Sequence, residues 1–261
     1  MIAYDRIGDG PPIVFLHSGL ANRTMWEPQV AAFSARYTCY LVDSPGYGDS
    51  EDPPSPFSYE NAIARFIEEQ VGQRAAMIGS SYGAGICFET ALIAPDWTGP
   101  LVLTDGIIEL EGEPSAVLRA IWTDADAAWE RGERERAVEI EIEGWVDGQG
   151  RPEGTAAPNA REYFTRANRA VWERQEAHPR PELLPGPEHE FERIQQPVLL
   201  IDGPFDVPDA HMSNRILLER LPRAEYVSIP GAAHFPSYEQ PADFNRIVLE
   251  FLDRTWGVES A

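Results

Sequence analysis

The chain has 261 residues, 43% of them hydrophobic and 10% aromatic, which suits one α/β domain with a sizeable core and not a disordered segment. Its 21 basic against 43 acidic residues leave a net charge of −22, disfavouring nucleic acid and anionic membrane as partners. Every basic residue is arginine, so Schiff-base chemistry, a pyridoxal phosphate anchor and a phosphate-binding P-loop are excluded.

The opening residues Met1 to Arg6 show no basic stretch followed by an apolar run, so no secretory leader is expected. No apolar segment approaches the ~18 residues that span a bilayer. A soluble cytoplasmic protein is the expectation. Ile2 to Ile7 reads as a short strand and Gly8 to Pro12 as a turn. Ile13 to Leu16 is a buried strand that ends at His17-Ser18-Gly19-Leu20. Met25 to Tyr37 has helical spacing, with Trp26, Val30 and Phe33 on one face. Thr38 to Val42 is the next strand, closed by the turn formers of Asp43 to Ser50. A helix follows over Tyr59 to Val71, then a strand over Ala75 to Ile78, a tight turn at Ser81 and a helix from Tyr82 to Ala94. Leu101 to Asp105 is another buried strand.

Between Gly106 and Glu192 the character changes. Three charged helical stretches, Ser115–Arg131, Glu133–Val146 and Ala160–Ala177, alternate with Pro-rich segments. The strand pattern returns at Pro197 to Ile201, with a helix near His211–Leu221, a strand over Glu225 to Ile229 and a helix over Ala242 to Arg254. Strands alternating with helices predict a mainly parallel sheet with helices on both faces. The interruption after Asp105 is too long for a loop and predicts a helical cap inserted over the sheet's C-terminal edge, where ligands bind in open α/β sheets. Cys39 and Cys87 fall in apolar stretches and read as buried free thiols; no metal-ligand spacing and no cofactor motif is present.

Gly79-Ser80-Ser81-Tyr82-Gly83 is a G-x-S-x-G turn between strand and helix. Such a turn strains its central residue, and positions two away must be small so that strand and helix approach. It lifts the Ser81 hydroxyl off the sheet and aims the helix N-terminus at what the serine attacks. A serine needs a base in hydrogen-bond reach and an acid to orient that base. His234, in the small-residue loop Gly231-Ala232-Ala233-His234 after the last strand, faces the same edge and is the expected base. His178, His189 and His211 sit in charged, solvated surroundings and carry no role. For the acid, Asp206 follows a strand in Gly203-Pro204-Phe205-Asp206 and completes the order Ser, Asp, His; Asp105 competes with it, and Asp209 ranks below both. Oxyanion donors are expected from the Tyr82 N–H and from Gly19, with Leu20 as the fallback. His17 is expected to hold its loop by hydrogen bonding.

These segments resemble the α/β-hydrolase superfamily over nearly the whole chain. The motifs that carry the likeness are His17-Ser18-Gly19 with Trp26, Asp43-x-Pro-Gly46-x-Gly48-x-Ser50, Gly79 to Gly83, Gly203-x-x-Asp206 and Gly231 to His234. The stretch His17 to Trp26 looks most like the enol-lactone hydrolases of aromatic catabolism. The resemblance implies a Ser81–His234–Asp206 triad, a Gly19/Tyr82 oxyanion hole, a core of residues 1–106 and 193–261, and a cap of residues 107–192 inserted after the sixth strand. Three features depart from the family pattern: Ser18 stands for the usual glycine, Ser80 and Tyr82 flank the nucleophile, and the edge strand that usually precedes Ile2–Ile7 is missing.

The expected activity is hydrolysis of a carboxylic ester or lactone of a small apolar or aromatic molecule through an acyl-enzyme on Ser81. The serine argues against epoxide hydrolase and haloalkane dehalogenase activity, which use aspartate in related proteins. The rivals are a C–C bond hydrolase or lyase with the same triad, and a ligand-sensing protein of this fold with little turnover. Leu20, Trp122 and Phe205 are candidate substrate-binding positions. Trp129, Trp145, Phe164 and Trp172 are candidates for the substrate wall that read first as helix-packing core, and Arg119, Arg166 and Arg169 are candidates for meeting a substrate carboxylate that read first as solvated ion pairs.

Overall fold

The computed structural model describes residues 1–108 and 112–256; residues 109–111 of the expected cap and 257–261 of the expected core lie outside them. The strands are β1 Tyr4–Ile7, β2 Pro12–Leu16, β3 Thr38–Val42, β4 Ala75–Ser80, β5 Thr98–Thr104, β6 Val198–Asp202 and β7 Ala224–Ser228. The helices are α1 Glu27–Ser34, α2 Tyr59–Phe66, α3 Tyr82–Ile93, α4 Ala116–Glu130, α5 Arg134–Glu141, α6 Pro158–Ala177, α7 Pro208–Arg220, α8 Pro236–Glu239 and α9 Pro241–Thr255. Among the described residues the strands form one sheet in the order β1-β3-β2-β4-β5-β6-β7. Only the edge pair β1–β3 is antiparallel.

Every residue of β2, β3, β4, β5 and β6 is buried, as parallel strands covered on both faces require. Alternate side chains divide two cores. Ile13, Phe15, Leu41, Ile78 and Ile201 face one side, under Phe33 of α1 and Phe244, Val248 and Phe251 of α9. Val14, Leu16, Met77, Leu103 and Leu200 face the other, under Ile63 and Phe66 of α2, Phe88 of α3 and Leu217 of α7.

Three elements depart from expectation. The helix expected over Met25–Tyr37 is a tight turn, Arg23–Trp26, followed by α1, because Pro28 lacks an N–H and fits only the first turn of a new α-helix. Strand β5 starts at Thr98, ahead of Gly99-Pro100. A register shift against β4 between Ala75 and Met77 absorbs the extra residue, and a bulge is where a sheet tolerates proline. The inserted helices follow the fifth strand of this chain and not the sixth, since β1 is itself the edge strand and no strand precedes it among the described residues.

Helices α4, α5 and α6 lie between β5 and β6 in sequence. Leu118 and Ile121 of α4, Val138 of α5, Phe164 of α6 and Ile142 just after α5 join the same buried cluster as Phe15, Trp26 and Phe235. Phe164 stacks on Phe235 with ring centres 3.8 Å apart, so the inserted segment packs directly beside the His234 loop. Among the described residues, no helix is long and apolar enough to cross a membrane. Phe164→Ala removes a fully buried ring and is expected to cost about 3–5 kcal/mol in urea unfolding; a cost under about 1 kcal/mol would mean that this contact does not hold the segment down.

Candidate active site

Ser81 has φ 52° and ψ −113°, a conformation a non-glycine residue adopts only when its surroundings enforce it. The enforcing contacts are visible at both flanking glycines. A Cβ on Gly79 would lie 2.3 Å from the Gly83 carbonyl oxygen, and one on Gly83 would lie 2.3 Å from that of Leu16. The Ser81 N–H donates to Thr104 O at 2.8 Å, tying the turn to β5. Tyr82 opens α3, so its N–H has no acceptor inside the helix and joins the positive end of the helix dipole.

The His234 loop reaches this serine from β7. His234 Nε2 lies 2.8 Å from Ser81 Oγ, and Nδ1 lies 2.7 Å from Asp206 Oδ1. A carboxylate can only accept, so Nδ1 carries the proton and Nε2 accepts from the serine hydroxyl. Asp206 Oδ1 also takes the Val207 N–H at 2.6 Å. The loops after β6 and β7 touch at Gly203, where a Cβ would lie 2.2 Å from Ala233 O. Glu239 grips the histidine from below: its Oε1 accepts the N–H groups of Ala233 and Phe235, and its Oε2 pairs with buried Arg151 at 2.6 Å. Trp145 caps the ring at 4.3 Å between centres and accepts the His234 N–H on its carbonyl.

Asp105, the competing acid, is buried beside this group at φ 56°. Its Oδ2 accepts from the Thr104 hydroxyl, while Asp105 Oδ1 and Asp206 Oδ2 have no partner among the described residues. One oxygen of each aspartate and one His234 nitrogen lie within 4.8 Å of one another. Burial, then the charge of Asp206, pushes the Asp105 carboxyl well above the usual carboxylate range. The neutral form of Asp105 is thereby favoured beside Asp206. The three groups are close enough for a metal ion, but both His234 nitrogens are already engaged by Ser81 and Asp206. Asp209 is occupied elsewhere, accepting from the N–H and hydroxyl of Ser115 at the start of α4.

The loop after β2 stands across the site from this chain of groups. A Cβ on Gly19 would lie 3.7 Å from Tyr82 Cβ, which puts the Gly19 backbone against the start of α3. His17 is buried, lies 2.8 Å from Ser18 O through Nδ1, and accepts the Ser44 N–H on Nε2. Burial lowers its pKa, so it is a neutral brace. Asp43 fixes the next loop by accepting from the Arg23 and Asp49 N–H groups. A Cβ on Gly48 would lie 2.1 Å from that carboxylate, which explains the glycine there.

A cavity of about 880 Å³ opens over Ser81. Gly19, Leu20, Tyr82 and Trp122 line it, as do Trp145 and Trp172, which the sequence reading assigned to packing. Phe205 does not. Its N–H and carbonyl are bound by Ala232 and Gln149, and its ring lies 5.7 Å from the Arg151 guanidinium, outside the cavity. Trp129 stacks on Trp172 at 4.8 Å, and Phe164 stays in the core. Arg169 pairs with Glu135 at 2.8 Å as expected. His211 is not merely solvated: it binds buried Asp202 at 2.8 Å, which raises its pKa.

Sequence reasoning missed Tyr47, Tyr59, Glu141, Asn168 and Arg180 on the cavity wall. The run Val138-Glu139-Ile140-Glu141-Ile142-Glu143 alternates with period two and hides which glutamate faces inward. Helical spacing from Val138 through Glu141 to Trp145 was the available signal. Arg180 sits between two prolines with no periodicity around it.

A carboxyl with a raised folded-state pKa keeps its proton where the unfolded chain has lost it, so stability falls as pH rises above about 4. Asparagine at position 105 carries no such loss. Asp105→Asn is expected to gain stability over the wild type progressively as pH rises above about 4 in urea unfolding. A gap that narrows as pH rises would show that Asp105 is ionised in the folded protein.

The alpha/beta hydrolase family model matches residues 13–247. The pimeloyl (acyl-carrier protein) methyl ester esterase of Chromobacterium violaceum is 28% identical, over 95% of this chain and 97% of its own. Two solved structures share the fold across 96% of this chain. An enzyme described as degrading N-acyl homoserine lactones, Est816, has a TM-score of 0.76 and 23% identity over 96% of its length. Naproxen esterase from Bacillus subtilis has a TM-score of 0.77 and 22% identity over 87% of its length. The chain is an α/β-fold hydrolase and belongs to the alpha/beta hydrolase family.

Proposed function

We propose that this hydrolase cleaves a carboxylic ester or lactone of a small, largely apolar or aromatic molecule through an acyl-enzyme on Ser81. The carrying observation is the unbroken hydrogen-bond chain Ser81–His234–Asp206 beneath a cavity walled by Tyr47, Tyr82, Trp122 and Trp145. An esterase among the relatives and ester- and lactone-cleaving proteins of the same fold support the reading.

The chemistry follows from the geometry. His234 Nε2 takes the Ser81 proton as Oγ attacks the carbonyl carbon, and the imidazolium is stabilised by Asp206. The carbonyl oxygen, now negative, is held by the N–H groups of Tyr82, at the start of α3, and Gly19, in the loop after β2. The proton on His234 passes to the leaving alkoxide as the C–O bond breaks. Water, deprotonated by His234, then attacks the acyl carbon, releasing the acid and restoring the serine. In this reading residues 107–192 form a cap that closes the cavity and selects the substrate, over a core of residues 1–106 and 193–261.

A p-nitrophenyl ester should give a burst of nitrophenolate equal to the enzyme concentration, followed by slower turnover. Ser81→Ala should abolish the burst and lower kcat by at least about 10⁴, with His234→Ala close behind and Asp206→Ala less severe. A Ser81→Ala variant that keeps the burst would overturn the assignment.

A further inference from the structure

One wall of the cavity holds a built polar site that this mechanism does not use. Glu141, the last residue of α5, lines the cavity together with Asn168 and Trp172 of α6. Its Oε2 accepts the Asn168 Nδ2–H at 2.7 Å and the Trp172 Nε1–H at 2.6 Å. Oε1 has no partner among the described residues. The carboxyl is thus oriented from one side and left open on the other, in a cavity whose wall also carries the rings of Tyr47, Tyr82, Trp122 and Trp145. Trp129 stacked against Trp172 fixes the indole that donates to it, so the orientation is supported from behind.

The charges around the cavity give this acceptor a direction. Glu60, Glu89 and Asp126 also line the wall, against one cation among the described lining residues, the exposed Arg180, whose charge reaches Glu141. The local field therefore opposes an anionic substrate group and favours a donor. A substrate that leaves Oε1 unpaired loses the hydration of a carboxylate with nothing in return; one that donates to it makes a charge-assisted hydrogen bond.

We infer that Glu141 is a substrate-binding residue, and that the ester or lactone carries, away from the scissile bond, a neutral or cationic hydrogen-bond donor (hydroxyl, amide N–H or ammonium) that binds its Oε1. This rests on the cavity being the substrate site of the hydrolase reading above. The site is a specificity device. Groups that fill the same volume without a donor are rejected because the carboxylate stays desolvated and unpaired.

The test is a series of p-nitrophenyl esters of increasing acyl length, each ended by ammonium, by methyl or by carboxylate. At one chain length kcat/KM should favour ammonium over methyl by about 10–100-fold. Glu141→Leu should remove that ratio. Glu141→Gln should remove it as well, because its amide oxygen will take the two N–H bonds and present an NH₂ group to the substrate. The same compounds are compared by binding affinity on Ser81→Ala, so selectivity is read without turnover. A Ser81-dependent burst with no ammonium preference at any length overturns this inference and leaves the hydrolase reading standing. Preference in binding without any ester turnover does the reverse. A carboxylate-ended ester that binds best also overturns it and assigns recognition to Arg180. If both variants lower only the melting temperature and leave the ratio intact, Glu141 merely joins α5 to α6.

Discussion

The close approach of β4, α3 and the end of β2 is the constraint on which the rest of the site depends. With 2.3 Å between the would-be Cβ of Gly83 and Leu16 O, and the same at Gly79 against Gly83 O, neither position accepts a side chain without moving the backbone. That contact holds Ser81 at positive φ and leaves the Tyr82 N–H, the first of α3, beside it. β4 is the central strand of the sheet, so the turn is fixed by pairings on both sides. The loops after β2, β5, β6 and β7 then end at one edge, and each contributes a group to the space above the serine.

Buried carboxylates are the second theme of this acidic chain, and each is compensated differently. Asp43 is met by Arg23, and Glu239 by Arg151, in pairs whose carboxylates are fully buried. Asp202 is met by His211 and the Tyr226 hydroxyl. Asp105 accepts from the Thr104 hydroxyl, and burial favours its neutral form. Asp206 is met by a histidine that also reaches a serine, which turns a structural ion pair into an acid–base chain. Breaking a buried pair by removing one partner costs several times what an exposed pair is worth. Arg151 and Glu239 therefore matter to the His234 loop although neither touches the serine.

The fold was legible because its strands are fully buried apolar runs set off by turn residues, and β2, β3, β6 and β7 fall where the pattern puts them. Ser81, His234 and Asp206 were legible because small residues at fixed offsets accompany each. Gly79, Gly83, Gly203 and Gly231 mark close approaches or positive φ, and such requirements are local enough to read. Which aspartate meets His234 Nδ1 needed geometry, since both follow neighbouring strands and only the loop after β6 brings its carboxyl within 2.7 Å. The cavity wall was the least legible part. It is assembled from short stretches scattered between Gly19 and Gly186 whose meeting is set by tertiary packing, so Phe205 was placed inside and Glu141 and Arg180 went unseen. Trp145 shows the reason well: an indole on an amphipathic helix looks like core, and here it packs on the buried His234 ring while also lining the cavity.

The most direct test of the central claim is to find which atom becomes acylated. The wild type is treated with a fluorophosphonate, which traps serines activated as nucleophiles, and the intact mass and then the modified peptide are measured. The account predicts one adduct, on Ser81, lost in Ser81→Ala and slowed strongly in His234→Ala. An adduct on any other residue, or an unmodified protein while esters are still being hydrolysed, would contradict it.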